Sequence, residues 1–102
     1  IQPLLEDDGK VKNYPLFPDD ANRRFAVYYL ELDVGSYWES EPHLRGTAEF
    51  ITVAAGRIEI YADGQRFGVG KDESIRFKAD TVHSYKNIGE ETAILHMILF
   101  YP

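Results

Sequence analysis

Apolar and polar residues alternate over short runs of this chain, a pattern that restricts most of it to β-strands. Leu30, Leu32 and Val34 alternate with Glu31 and Asp33, so successive side chains would lie on opposite faces of a pleated strand. Comparable strand-like runs cover residues 25–34, 49–53, 57–61, 65–69, 74–77, 83–87 and 92–100. Many short strands at this spacing are typical of an all-β sandwich or barrel, and we expect a small antiparallel β-barrel.

Turn residues separate the runs and set their boundaries. Asp63-Gly64 predicts a tight hairpin, because both central positions of such a turn need a positive φ. Prolines and acidic turn residues punctuate residues 1–24 and prevent a long helix there. We therefore expect residues 1–24 to form an N-terminal arm with one short strand, packed on a single barrel domain made by residues 25–102.

The composition limits the class of protein. The 102 residues suffice for one domain, and 44% hydrophobic with 27% charged residues is typical of soluble globular proteins. No run approaches the roughly 20 apolar residues of a membrane span, and we see no secretory signal pattern. A formal net charge of −6 argues against nucleic-acid binding by this chain alone. The absence of cysteine excludes thiolate metal ligands and fits a cytoplasmic location.

Two stretches far apart in sequence carry residues with metal-binding chemistry. The first contains His43 and Glu49 and leads to Gly56, and the second contains His83. Imidazole and carboxylate groups are the usual ligands of a divalent metal ion such as zinc when cysteine is absent. If the stretches meet in the folded chain, His43, Glu49 and His83 form a three-ligand site with open positions. If they do not, each histidine is an ordinary hydrogen-bonded residue of a β-protein.

The first stretch resembles the first motif of the cupin superfamily. That motif runs from a glycine to two histidines one residue apart, then to a glutamate and a closing glycine. Gly35, His43, Glu49 and Gly56 match it, with a longer gap than usual between the first two. Arg45 stands where the family has its second histidine. A cation at that position would oppose a nearby metal ion.

The second stretch resembles the second cupin motif, in which His83 and Asn87 match. The glycine, proline and glycine that normally precede them are replaced by Asp72, Lys78 and Asp80. Residues around both motifs look like the C-terminal cupin domain of bacterial XRE-class helix-turn-helix transcriptional regulators. The resemblance covers residue 12 to the end of the chain, and it implies a double-stranded β-helix, or jelly-roll barrel.

Further side chains are candidates for effector binding. Arg45 could hold an anion through a bidentate pair, or it could be a rim arginine paired with Glu41 or Glu49. Aromatic side chains that could line a mostly apolar effector pocket are Tyr28, Trp38, Phe50 and Tyr85, and the alternative for each is packing in the core. We expect Trp38 in a loop near the mouth of the barrel.

Two other polar residues have a structural interpretation. Strand alternation from Ala93 puts Leu95 and Met97 inside the barrel, which turns His96 to the outer face and away from a ligand role. We expect Asn87 to satisfy backbone groups of a turn.

The resemblance implies a sensor domain that binds a divalent metal, a small anionic or amino-acid-like metabolite, or both. It would be the C-terminal part of a longer regulator and would contact DNA only through a helix-turn-helix domain outside this chain. Exposed strand faces, including Tyr29 and Phe100, could pair two barrels as a homodimer that reads two half-sites. The alternatives are a stand-alone metal-dependent dioxygenase or isomerase, and a barrel that has lost its site and serves only for dimerisation.

Overall fold

The computed structural model describes residues 1–102, which fold into β-strands joined by turns. The strands are β1 (Leu4–Glu6), β2 (Val11–Phe17), β3 (Phe25–Leu32), β4 (Tyr37–Ser40), β5 (Ala48–Ala55), β6 (Arg57–Ala62), β7 (Gln65–Gly70), β8 (Ser74–Lys78), β9 (His83–Asn87) and β10 (Ala93–Phe100). A short 3-10 turn, Asp7–Gly9, joins β1 to β2. The predicted all-β class is confirmed. The structure contains no helix with the length and apolar character of a membrane span.

The strands pair into two antiparallel sheets. The larger sheet has the order β1-β2-β3-β10-β5-β8, and the smaller has the order β4-β9-β6-β7. Neighbouring strands such as β3 and β10, or β6 and β9, are distant in sequence. This arrangement confirms the predicted small antiparallel jelly-roll barrel.

The inner faces of the two sheets supply one core. On β10, Leu95 and Met97 are buried whereas His96 is exposed, as strand alternation predicts. The largest fully buried aliphatic side chains are Leu30, Leu32, Ile51, Ile58, Ile60 and Leu95. The same alternation carries Glu49 of β5 and His83 of β9 into the barrel.

Residues 1–24 contribute two strands to the larger sheet, where the sequence predicted one. The strand β2 pairs with β1 on one side and with β3 on the other. Val11 is fully buried and Asn13 is only 9% exposed, so β2 forms part of the barrel wall. Pro15 concealed this strand, because proline cannot donate a ladder hydrogen bond and is rare inside sheets. The β2–β3 pairing shifts register between Pro15 and Phe17.

The strand β4 was also not predicted, and it corrects the position of Trp38. We expected a loop there, but Trp38 lies in β4 and pairs with Tyr85 of β9. The strand has only four residues, too few for alternation to identify it. Its position turns the indole of Trp38 towards the core, against which it packs.

Two tight turns depend on glycine. Asp63 and Gly64 have φ values of 51° and 74°, which confirms the predicted hairpin between β6 and β7. Gly56 has a φ of 78°, and a Cβ added there would lie 2.8 Å from the Cα of Ala93. The turn between β5 and β6 thus packs closely against the start of β10, which leaves no room for a side chain at Gly56.

Asn87 closes the same end of the barrel. Its Nδ2 donates to the carbonyl oxygens of Leu32 and Glu91, and its Oδ1 accepts from the N–H of Gly89. The structural role predicted for Asn87 is therefore confirmed. Because Leu32 belongs to the larger sheet and Asn87 to the smaller, the bond between them also ties the two sheets together.

Candidate metal and effector site

Three elements bring His43, Glu49 and His83 together at the opposite end of the barrel. Glu49 lies near the start of β5. It is buried and the next residue, Phe50, is exposed, so the side chain of Glu49 faces the inside of the barrel. His83 begins β9. His43 lies in the segment between β4 and β5, where its backbone N–H donates to the carbonyl oxygen of Ala79 over 2.9 Å.

Glu49 is the centre of this cluster. Its Oε2 lies 2.9 Å from Nε2 of His83 and 3.4 Å from Nε2 of His43. Its Oε1 accepts a hydrogen bond from the hydroxyl of Tyr85. The side chains of Glu49 and His83 are 1% and 0% exposed, whereas that of His43 is 31% exposed. His43 therefore connects a buried carboxylate–imidazole pair with solvent.

The other nitrogen of His83 determines which ring atom is free. Nδ1 lies 2.7 Å from the carbonyl oxygen of Thr81, which can only accept, so Nδ1 carries a proton. A neutral His83 then has its lone pair on Nε2, directed at a carboxylate oxygen of Glu49. Two lone pairs at this distance repel each other. The geometry therefore fits a second proton on His83, or a metal ion that takes the place of that proton.

Electrostatics favour the charged pair when no metal is bound. Burial raises the pKa of Glu49, but hydrogen bonds from His43, His83 and Tyr85 outweigh it, and the net pKa lies below its ordinary value. Burial lowers the pKa of His83, but the hydrogen bond and charge of Glu49 outweigh it and raise the net pKa. Burial, and then the charge of Glu49, raise the pKa of Tyr85 well above its ordinary value. Tyr85 thus remains a hydrogen-bond donor.

The cluster could hold a metal ion. One donor atom from each of His43, Glu49 and His83 lies within 4.8 Å of the others. Two imidazoles and one carboxylate form a donor set that suits zinc and related divalent ions. The carbonyl oxygen of Thr81 holds His83 in the required tautomer, as the outer partner of a metal-bound histidine usually does. The residues present therefore fit a divalent ion.

A cavity of about 140 Å³ adjoins the cluster. Trp38 and Tyr85 stack along one wall, with ring centroids 4.9 Å apart and ring planes inclined by 27°. Burial, and then the charges of Asp19 and Glu49, raise the pKa of the Tyr28 hydroxyl, which also lines the cavity. The complete lining consists of Leu4, Asn13, Tyr28, Trp38, Ser40, His43, Glu49, Tyr85, Met97 and Leu99. Mostly apolar walls with a few polar groups are typical of small-molecule sites.

Two of the candidate residues lie outside the cavity lining. Arg45 is exposed in the turn before β5, and it pairs with neither Glu41 nor Glu49. Phe50 is 41% exposed on the outer face, so it neither lines this pocket nor packs in the core. Strand alternation already implied this, because Glu49 and Phe50 are consecutive and cannot both face inward.

Sequence reasoning missed several residues of the cavity wall. These are Leu4 and Asn13 from the N-terminal strands, Ser40 from β4, and Met97 and Leu99 from β10. Met97 was predicted to face inward but was not connected with the site. For Asn13 a weak signal existed, because Val11, Lys12 and Asn13 alternate in the manner of a strand.

Comparison with known proteins finds similarity to cupin domains and to a transcriptional regulator. A family model described as the cupin domain matches residues 28–99. The chain is 34% identical over 87 residues to the HTH-type transcriptional regulator SutR of Escherichia coli K12, an alignment that covers 85% of this chain and 49% of that regulator. The chain spans about half the length of the curated relatives it matches.

Two solved structures share the fold. The Cupin_2 domain of an XRE family transcriptional regulator from Enterobacter cloacae matches with a TM-score of 0.84 and 31% identity, over 91% of this chain and 98% of that chain. An HTH_3 family transcriptional regulator from Vibrio cholerae matches with a TM-score of 0.89 and 30% identity, over 99% of this chain and 56% of that chain.

Proposed function

The chain belongs to the cupin domain family, and from that membership we propose that it is the effector-sensing domain of a bacterial transcriptional regulator. It binds a small metabolite in the barrel, next to a divalent metal ion held by His43, Glu49 and His83. Occupancy of the site alters an attached DNA-binding domain. The similarity to regulators along most of this chain supports the proposal.

The observation that carries the proposal is the meeting of a polar cluster and an apolar cavity. Glu49 and His83 are buried at one end of the barrel, and His43 and Glu49 also line the adjoining space. A sensor needs no catalytic group, because regulation requires only that the effector bind two states of the protein with different affinity.

The metal part of the proposal rests on the donor set. The tautomer fixed by Thr81 directs Nε2 of His83 towards Glu49, and His43 completes three ligands. With no cysteine in the chain, zinc would be held by nitrogen and oxygen donors. When bound, such an ion supplies a positive charge and open positions that attract an anionic group of the effector.

The effector part rests on the lining. Tyr28, Trp38 and Tyr85 provide aromatic surface, and all three belong to the cavity wall. We assign Arg45 to the entrance instead, as an exposed cation that no carboxylate neutralises and that attracts anions towards the site. A small carboxylic acid, such as an amino-acid-like metabolite, satisfies both features.

We assign DNA contact to a separate helix-turn-helix domain, because a net charge of −6 argues against nucleic-acid binding by this chain. The absence of cysteine fits a cytoplasmic regulator without disulfides. Four large side chains on the outer face of the larger sheet are each 41–43% exposed: Phe25, Phe50, Ile98 and Phe100. They are adjacent, because Phe25 pairs with Phe100 and Phe50 with Ile98. We assign this aromatic patch to a homodimer interface.

A stand-alone metal-dependent enzyme is the second candidate. The open positions of a three-ligand site beside a cavity favour it, because such positions can host a substrate. The two functions differ in what the barrel does to a bound molecule. Turnover of an added substrate that disappears in Glu49→Ala would favour the enzyme, whereas binding without turnover favours the sensor.

The proposal is tested with protein purified without a histidine tag and treated with a chelator. We expect about one zinc ion to bind per chain when zinc is titrated into this protein. Calorimetry measures the binding. His83→Ala should weaken binding by more than about 100-fold, since it removes a ligand. His96→Ala is the matched control, because His96 is the exposed third histidine on the outer face. Equal zinc binding by wild type and His83→Ala would remove the metal from the proposal.

A further inference from the structure

Asn13 faces the cavity from the N-terminal part of the sheet. Along β2, Val11 and Asn13 are buried and Lys12 between them is exposed, so Asn13 points into the barrel. Its register partner on β1 is Leu4, and both residues line the cavity. The amide of Asn13 is thus a polar group on an otherwise apolar part of the wall.

The fold leaves this amide without a partner. Oδ1 of Asn13 is buried and accepts no hydrogen bond from the protein. The other buried asparagine, Asn87, uses both of its side-chain polar atoms. The remaining buried polar atoms without a partner are hydroxyls of Ser36, Thr47 and Thr81, and none of these residues lines the cavity. Among the residues that have a buried polar atom without a partner, Asn13 alone lies in the cavity wall.

The other polar groups of the cavity are mostly engaged with one another. Glu49 accepts from Tyr85 and His83, and Ser40 donates to the carbonyl oxygen of Glu41 over 3.1 Å. Among the buried side-chain polar atoms of the cavity lining, Oδ1 of Asn13 is the one that has no hydrogen-bond partner. Buried polar groups are almost always satisfied, so the natural occupant should bring a donor to this atom.

The cavity has room for a small solute. Its volume of about 140 Å³ accommodates a molecule such as a small amino or hydroxy acid. Apolar contacts with Leu4, Met97 and Leu99 accommodate its carbon atoms.

We propose that Asn13 is a specificity-determining residue, whose amide oxygen accepts a hydrogen bond from a hydroxyl or amino group of a small carboxylic acid bound in the cavity. The inference rests on the proposed function, because it names the effector class of the same site. A site built around a hydrogen bond rejects an analogue that lacks the bonding group, since the buried protein atom is then left unsatisfied. The effector is accordingly a hydroxy or amino acid, and simple carboxylic acids of equal shape bind poorly.

The test compares probes of matched shape. Lactate and alanine are compared with isobutyrate, in which a methyl group replaces the hydroxyl or amine, and 3-hydroxybutyrate and 3-aminobutyrate are compared with isovalerate. Binding is followed by the fluorescence of Trp38, the chain's single tryptophan, which lies in the cavity wall. In the wild type, at least one donor-bearing probe should bind at least tenfold more tightly than its apolar match. In Asn13→Leu the ratio should fall to about one, and in the exposed control Asn22→Leu it should not change.

The outcomes separate the two proposals. Equal binding of matched probes by the wild type, or a preference that survives in Asn13→Leu, overturns the role of Asn13 and leaves an effector site in place. If none of the six probes binds, both the effector class and the small-acid sensor are overturned. Should Asn13→Leu fail to fold, the wild-type comparison still decides. The side-chain amide signals of Asn13 in an NMR spectrum should then shift with the donor-bearing probes and not with isobutyrate or isovalerate.

Discussion

His83 Nε2 lies 2.9 Å from Glu49 Oε2, while the other nitrogen of the same ring is bound to the carbonyl oxygen of Thr81. Both side chains are almost completely buried. The contact between them is favourable only when a positive species, a proton or a metal ion, lies between the two atoms. Protonation of His83 and metal binding therefore compete for one position.

This competition predicts that zinc binding releases protons. At pH 6 the raised pKa of His83 keeps the ring protonated in the metal-free protein, so zinc should displace at least about one proton. Calorimetry in buffers of different ionisation enthalpy measures the number, with His96→Ala as the control. Zinc binding without proton release at pH 6 would mean that the ion binds elsewhere.

The same pair predicts how the stability of the metal-free protein depends on pH. Because the pKa of Glu49 is lowered from 4.5, its contribution is present above about pH 4.5 and is lost as the pH falls through the lowered value. Because the pKa of His83 is raised from 6.5, its contribution is complete below about pH 6.5 and is lost as the pH rises through the raised value.

The pair should thus stabilise the fold most between about pH 4.5 and 6.5. Thermal unfolding of chelator-treated wild type and Glu49→Gln across pH 4 to 9 measures this contribution. The difference in melting temperature should be largest inside the window and should shrink on both sides. A difference that does not vary with pH would show that Glu49 and His83 do not form a charged pair.

Gly56→Ala should destabilise the protein more than Gly64→Ala. Both glycines have a positive φ, but a Cβ at Gly64 meets nothing within 4 Å, whereas at Gly56 it meets the backbone of Ala93 at 2.8 Å. Backbone strain alone should cost about 1 kcal/mol at Gly64, and the added clash should bring the cost at Gly56 to about 2–4 kcal/mol. Urea denaturation measures both. Equal losses would show that β10 can move away from the turn without cost.

Ile98→Glu should dissociate the proposed homodimer. The substitution places a charge in the aromatic patch of each partner, which should raise the dissociation constant by at least about 100-fold. Ile88→Glu is the matched control, because Ile88 lies in the turn after β9 and is 42% exposed, close to the 41% of Ile98. Sedimentation over a range of protein concentrations measures the assembly. A monomeric wild type, or dissociation by Ile88→Glu alone, would contradict this interface.

The sequence predicted the parts of the fold in which alternation is long enough to read. The strand containing Leu95 and Met97 was placed with the correct side inward. The strand of Trp38 was missed because four residues carry little periodic information. In residues 1–24 one short strand was predicted where the structure has two, because Pro15 is a local signal against a sheet that only the tertiary pairing with β3 overrides.

The candidate site was less accessible to sequence reasoning. Spacing motifs indicated His43, Glu49 and His83, and the structure brings these side chains together. No motif indicated that Thr81 would fix the tautomer of His83, because a backbone carbonyl has no signature in the sequence. The cavity role of Asn13 depends on the pairing of β2 with β3, which a single sequence does not reveal.

The hydrogen bonds of Asn87 make the two ends of the barrel unequal. At its end they join the sheets through backbone atoms such as the carbonyl of Leu32, whereas at the mouth Glu49 reaches across to His83 and Tyr85. Spontaneous opening should therefore begin at the mouth, so backbone amide hydrogens near His83 should exchange with solvent before those near Asn87. The rate of that opening would set how long a molecule bound in the cavity stays there, so its residence time should depend on how firmly Glu49 holds His83 and Tyr85.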